Sequence, residues 1–457
     1  MSNQWSLSVV NASTVDDNQH AKSAGNRISA VVLLEEITES FTRSQSLIHP
    51  LVLDYIISPR IQHLSFPFYN DGYLSSFPKL GNLLILDLDN SGVGDYSLKC
   101  IGIYCSKLRS LNLKHCLCVT DIGIQWLCGV DNLEMENGKS GLCKTIKKLS
   151  ILYTRVTQQG IQVVLKYLLA LNILENYNTV EALVELAQSA KGSKQPGFYK
   201  TFSISTLYTS PTAPYRSESL QLALSLCHSV NHVSIHLTKG LKDSDLLCLR
   251  SIKILRKLKI LGSRLWLPNE TEITFDGGVA PLLQVFGKSL ETLALEGLDL
   301  VRISAIIEFC PNLNVLYISD LTSSLENERS LFLVDKKPPI FKYLKFLFCV
   351  LKIPADILLF LLSSPSLHHI AFSQCDALSD ELLLETVKHH RLKNLRKLGL
   401  EKCHSVTKHG IIEFLLNGCN PLEIIDFNGC ANIRPKDCAD LLSLIAKKNW
   451  NLNVSRK

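Results

Sequence analysis

No stretch of this 457-residue sequence is both long and apolar enough to span a bilayer. The most apolar run, Phe346 to Leu362, is interrupted by Lys352, Pro354 and Asp356, whereas a spanning helix needs about 20 apolar residues. Membrane insertion is not expected. Charge of one sign is also lacking, because 48 Lys and Arg against 42 Asp and Glu leave a net charge of +6. No basic run exceeds Lys147-Lys148 or Lys447-Lys448, so the chain has no field suited to a polyanion and nucleic acid is not an expected partner. The Met1 to Asn18 segment is polar and lacks the apolar core of an export signal. Fifteen Cys, an odd number, then point to reduced thiols in cytosol or nucleus rather than to a disulfide framework.

Motifs of catalysis are missing too. There is no GxSxG elbow, no HExxH helix, no GxxxxGK[ST] loop and no GxGxxG turn. His368-His369 and His389-His390 are the residues most suggestive of a general base. Their places argue otherwise: His369 falls on a strand, and His389-His390 close a helix, where cations favour the carboxyl end. The expectation is a non-enzymatic protein without cofactor or metal.

What the sequence does contain is a repeat. Leu395, Leu398 and Leu400 form an apolar triplet followed by Cys403, and Leu422, Ile425 and Phe427 repeat it 27 residues later, followed by Cys430. With the first apolar residue as position 0, the triplet at positions 0, 3 and 5 recurs backwards through the chain. The units begin at Leu367, Phe341, Leu313, Leu290, Leu255, Val230, Tyr199, Leu168, Ile146, Leu108, Leu83 and Ile61. One more step of 27 reaches Leu452 and Val454. That makes about fourteen units and a terminal strand. A single triplet means little in a chain that is 46% apolar, but a run at a period in the twenties is the signature of leucine-rich repeats. Each unit is one short strand and one return helix. Positions 3 and 5 point into a core, while positions 2, 4 and 6 face the other way. No unit buries its apolar edge alone, so stacking is obligatory. The fold class expected is α/β, a leucine-rich-repeat solenoid or horseshoe with a concave parallel sheet and convex helices.

The segment Cys105-Ser-Lys-Leu108-Arg-Ser-Leu111-Asn-Leu113-Lys-His-Cys116-Leu-Cys-Val119-Thr120-Asp121 resembles the cysteine-containing leucine-rich repeat, and Cys310-Pro311-Asn-Leu313 is similar to its opening. That repeat occurs in F-box substrate adaptors of cullin-type ubiquitin ligases, in mitotic-exit antagonists, and in the wider superfamily that includes ribonuclease-inhibitor-like proteins. The resemblance implies protein recognition, with substrate selection for a ubiquitin ligase as its sharper form. A general scaffold or inhibitor-type binding protein is the alternative. A complete F-box is not recognisable. Pro50, Leu53 and Ile57 resemble the first helix of one, but Ile61 already opens the first repeat strand. Residues 28–59 therefore read as a helical cap or as a docking segment for Skp1 or elongin-cullin components. Residues 1–27 read as a disordered tail, and residues 60–457 as the solenoid. Loops are expected at Cys128 to Thr145, Ala187 to Pro214 and Gly262 to Pro281, the last holding Trp266.

Position 8 is Cys at 116, 349, 375, 403 and 430, and Ser91, Thr154, Asn176, Thr238 or Ser263 elsewhere. A side chain there turns inward and donates to carbonyls of the neighbouring coil. One Cys per coil makes a row, not the convergent set a metal requires. The partner-binding candidates lie on the concave positions: Lys257 and Lys259 beside His232 and His236, then Tyr317, Tyr343 and Lys345. They suit an acidic or phosphorylated peptide. Asn172, Ser203 and Ser205 are placed on the same face, and Asp89 is expected to pair with Lys114.

Overall fold

The computed structural model describes residues 57–66, 69–130, 145–192, 201–262, 272–298, 300–319, 341–350, 353–390, 392–417 and 421–456. The chain divides into two units, one within Lys22–Ser234 and the other within Ile235–Lys457. In the first, β1 (His63–Ser65), β2 (Ile85–Asp87), β3 (Ser110–Asn112), β4 (Lys148–Ser150) and β5 (Ile173–Glu175) pair side by side, all parallel and in chain order. Each strand is followed by a helical return, such as Asp95–Tyr104 after β2 and Asp121–Leu127 after β3. Leu64, Leu86, Leu111, Leu149 and Leu174 sit opposite one another at position 3, each 5% exposed or less. A fully buried leucine contributes about 1.5–3 kcal/mol, so this row is the spine of the unit.

Between β5 and β6 (Thr206–Tyr208) a side chain takes over from the ladder. The Thr206 hydroxyl donates to the Leu174 carbonyl at 2.7 Å and accepts from the Leu174 N–H at 3.1 Å. β6 then pairs with β7 (His232–His236), Leu207 standing opposite Val233.

The second unit holds β8 (Lys257–Leu261), β9 (Thr292–Glu296), β10 (Val315–Ser319), β11 (Phe346–Val350), β12 (His369–Ser373), β13 (Lys397–Glu401), β14 (Ile424–Asn428) and β15 (Asn453–Ser455), each from β9 onward parallel to the one before it. The architecture is a leucine-rich-repeat solenoid of α/β class, with fifteen strands among the described residues.

The register differs from the sequence expectation at four strands. At β5 the buried pair is Leu171 and Leu174, at β6 Ile204 and Leu207, and at β11 Leu344 and Leu347, so those units begin three or five residues later than the triplets suggest. At β15, Val454 rather than Leu452 stands opposite Ile425. The cause is degeneracy. Positions 0 and 3 are both apolar, so a slide of three keeps one residue in pattern, and the true position-5 residues Asn176, Thr209 and Cys349 give a weaker apolar signal. Cys349 is accordingly a core residue of β11, not a position-8 residue, and Asn176 moves likewise.

Position 7, just past the strand, adopts left-handed backbone repeatedly: Asn90, His115, Tyr153, Gln374 and Lys402 have φ of 50–58°, and Gly297 and Gly429 have 70° and 63°. The chain turns sharply there into the position-8 residue. Cys116, Cys403 and Cys430 donate S–H to the carbonyls of Leu88, Phe372 and Leu400, the position-5 residue of the preceding coil, at 3.1, 3.6 and 3.5 Å. Burial pushes the Cys403 thiol up to about 12, so it stays protonated and able to donate. The position-8 Cys are structural.

Residues 1–56, including Pro50 and Leu53, lie outside the described residues, as does Trp266. Ile57 is 5% exposed and shares an apolar wall with Leu64, Phe66, Tyr69 and Tyr73.

Candidate interaction surface on the strand faces

Positions 2, 4 and 6 point away from the repeat core, yet in the second unit they are not a solvated wall. Leu261, Ala294, Tyr317 and Phe348 form a buried apolar cluster there, with Phe346 and Ala371 packed against it. Tyr317 is 2% exposed and Lys259 7%. Sequence reasoning missed this because it assigned exposure by alternation alone, and a strand can bury both faces. His236 is buried as well, while Lys257 is half-buried. His232 is half-buried at the start of β7, in the first unit. Tyr343 and Lys345 are exposed but precede β11, where the three-residue register shift removes them from the strand face. Asn172, Ser203 and Ser205 fall before their strands for the same reason. The basic cluster expected at the centre of the face is thus dispersed by burial and register.

Nearer the carboxyl end, His369, Lys397 and Asp426 remain half-buried on β12, β13 and β14. Burial lowers the pKa of His369, and Lys397 beside it pushes in the same direction. Burial also lowers that of Lys397, opposed by Asp426. His389-His390 end the helix Asp380–His390, as expected.

The first unit carries the feature that sequence reasoning passed over. His115 and Tyr153 stack with ring centroids 4.4 Å apart and planes 6° from parallel. Tyr153 meets Tyr177 edge to face at 5.2 Å, and the Tyr177 hydroxyl donates to the Tyr153 oxygen at 2.7 Å. Tyr208 follows at 6.3 Å from Tyr177, and His232 at 5.4 Å from Tyr208. Five rings from five consecutive coils make one ridge. Coil spacing is about 4.8 Å, close to ring-stacking distance, so rings at matching positions of adjacent coils meet face to face. Tyr153 is 38% exposed, and His115 and Tyr177 are half-buried.

Carboxylates flank the ridge. Asp87, Asn112, Ser150 and Glu175 occupy one row across β2 to β5, where the Asn112 amide donates to Asp87 at 2.9 Å. Asp89 lies next to Lys114 and His115. Burial raises its pKa, Lys114 opposes this, and Asp87 adds to it. No ion pair closes between Asp89 and Lys114, and one buried Asp89 oxygen, Oδ1, has no hydrogen-bond partner. Burial lowers the pKa of His115, against the pull of Asp89. The signal available in the sequence was His115 and Tyr153 at position 7 of successive units.

Among the described residues, no group of three or more His, Cys, Asp or Glu could hold a metal ion, and no helix is long and apolar enough to cross a membrane.

No family model matches the chain. Among solved structures, a chain of the yeast Rad7 and Elc1 complex is similar at 14% identity and a TM-score of 0.47, over 99% of this chain and 89% of that one. An internalin, inlF of Listeria monocytogenes, is similar at 12% identity and a TM-score of 0.33, over 93% of this chain and 94% of that one. These likenesses concern the path of the chain alone.

Proposed function

We propose that this protein is a non-catalytic recognition module that binds another protein through the strand face of its repeats. The observation that carries the reading is the row His115, Tyr153 and Tyr177, open in part to solvent and backed by the buried Tyr208. Aromatic side chains offer large, rigid contact area at little entropic cost, and they dominate the energetics of protein interfaces. A photo-crosslinking residue in place of Tyr153 tests it in cells. Discrete protein adducts are expected at Tyr153 and not at Val285, an exposed helix residue. Equal adducts at both positions, or none at Tyr153, would refute the reading.

In its finer form the module selects substrates for a cullin-type ubiquitin ligase in a reducing compartment, cytosol or nucleus. The resemblance of Cys105–Asp121 to the adaptor repeat supports this. The alternative is a scaffold or inhibitor with no ligase role. Capture of Skp1 or elongin C by the full chain, lost on Leu53→Asp, is the result expected of an adaptor. Capture of neither favours the scaffold.

A further inference from the structure

The ridge has a charge pattern that specifies more than a generic protein surface. Resting on the recognition reading above, we infer that the His115, Tyr153 and Tyr177 ridge takes an extended protein segment bearing two arginines, one directed to Asp89 and the other to Glu175. The rings supply flat faces between the two carboxylates. A guanidinium is planar, weakly hydrated and always charged, so it stacks on tyrosine while donating in a fork to carboxylate. Asp89 Oδ1 is an acceptor with no partner in the protein. Ser150, 1% exposed, presents a buried hydroxyl, likewise without a partner, in the row between Asn112 and Glu175. Both atoms are enclosed, whereas the Asp89 and Glu175 side chains as a whole are only half-buried.

Geometry sets the spacing of the two cations. From the coil of β2 to β5 is three strand intervals, about 14 Å at 4.8 Å each. Asp89 lies two residues further along its coil than the Asp87 that shares a row with Glu175, so the two carboxylates are about 16 Å apart. An extended segment advances about 3.3 Å per residue. The two arginines are thus about five residues apart, and the long, flexible arginine stem lets both reach the ridge from one segment. Lys114 stands between the two acidic ends, on the coil that carries His115. It lies one coil from Asp89 and two from Glu175, so a cation next to the first arginine would be repelled, and an acidic or neutral residue fits there. Single-stranded nucleic acid also stacks on aromatic ridges, but carboxylates at both ends oppose its phosphates.

Selection from a random peptide display library on the full-length protein tests the inference, with Tyr153→Ala, Glu175→Gln and Asp89→Asn as parallel targets. Enriched peptides should carry two arginines with about four residues between them. Their affinity, measured by fluorescence anisotropy on synthetic copies, should fall about tenfold or more with each carboxylate variant, the loss of one charge-assisted contact. Tyr153→Phe keeps the ring and should keep binding. Enrichment of acidic or apolar peptides that are lost on Tyr153→Ala would overturn the arginine assignment and leave the recognition reading standing. So would a labelled single-stranded oligonucleotide that binds in their place. Enrichment of nothing, or of peptides indifferent to all three variants, would remove both.

Discussion

Asp95 accepts two hydrogen bonds from Thr120 of the next coil, one from its backbone N–H at 2.8 Å and one from its hydroxyl at 2.7 Å. Asp95 is the first residue of its helix, and Thr120 caps the next helix by accepting from the Ile122 N–H. The same latch joins Asp121 to Thr157, Asp243 to Thr274 and Asp380 to Thr407. It places a carboxylate at a helix amino end and ties two coils with one side chain. Three residues after each latching Thr stands a glycine, Gly123, Gly160, Gly277 or Gly410, and a Cβ there would collide with the carboxylate of the Asp.

Gly123→Ala should therefore destabilise, although alanine is the better helix former by about 1 kcal/mol. Overpacking costs about 1–3 kcal/mol, and it falls on a charge-assisted bond. Urea unfolding of Gly123→Ala, Asp95→Ala and the double variant measures this. The double variant should lose less than the sum of the single ones. Strict additivity would show that the glycine does not serve the latch.

Glu181 gives the first unit a pH dependence of defined sign. Burial raises its carboxyl from 4.5 to about 7, opposed by the Ser210 N–H that donates to it at 3.1 Å. A folded state that holds the proton more tightly than the unfolded one is favoured at low pH. That advantage is complete below about pH 4.5 and is lost as the pH rises through about 7, an upper bound of about 3 kcal/mol. Glu181→Gln should flatten the difference between urea midpoints at pH 5 and pH 8. An unchanged slope in that variant would exclude Glu181 as its source.

Thr206→Val should loosen the junction of β5 and β6. Valine keeps the shape and leaves the Leu174 N–H and carbonyl without their partner, at about 1–3 kcal/mol for each buried group. Faster hydrogen exchange at the Leu174 amide is the expected signature. Protection equal to that of the parent would mean that the hydroxyl is dispensable.

The thiols should divide by burial. Cys118 is exposed, whereas Cys116, Cys403 and Cys430 are buried and donate to carbonyls. Iodoacetamide on the native protein at neutral pH should modify Cys118 and spare the other three until denaturant is added, as read by peptide mass spectrometry. Reaction of Cys403 at the rate of Cys118 would contradict its donor role.

The comparison of β3 with β5 shows how far the sequence could be read. At β3, Leu108, Leu111 and Leu113 are all apolar and Cys116 ends the unit, so the pattern has one solution and the structure adopts it. At β5 the residue in the third core place is Asn176, whose amide donates to the Ile151 carbonyl at 3.1 Å. A triplet three residues earlier then matches better than the true one. That slip concealed the ridge, because it placed Tyr177 beyond the strand, and a similar slip at β6 did so for Tyr208. With the observed register, the rings occupy positions 7, 7, 6, 4 and 2 of successive coils, a diagonal that no single repeat position reveals.

The sequence alone determined that the chain folds as stacked strand-and-helix coils, since apolar spacing within one unit is a local property and the need to bury its edge follows from solvent. Tertiary structure decided which outward positions are open. Lys259 and Tyr317 occupy positions that alternation marks as facing away from the core, and both are buried. Alternation fixes the direction of a side chain. What meets it there depends on residues distant in sequence, and only the folded chain brings them together.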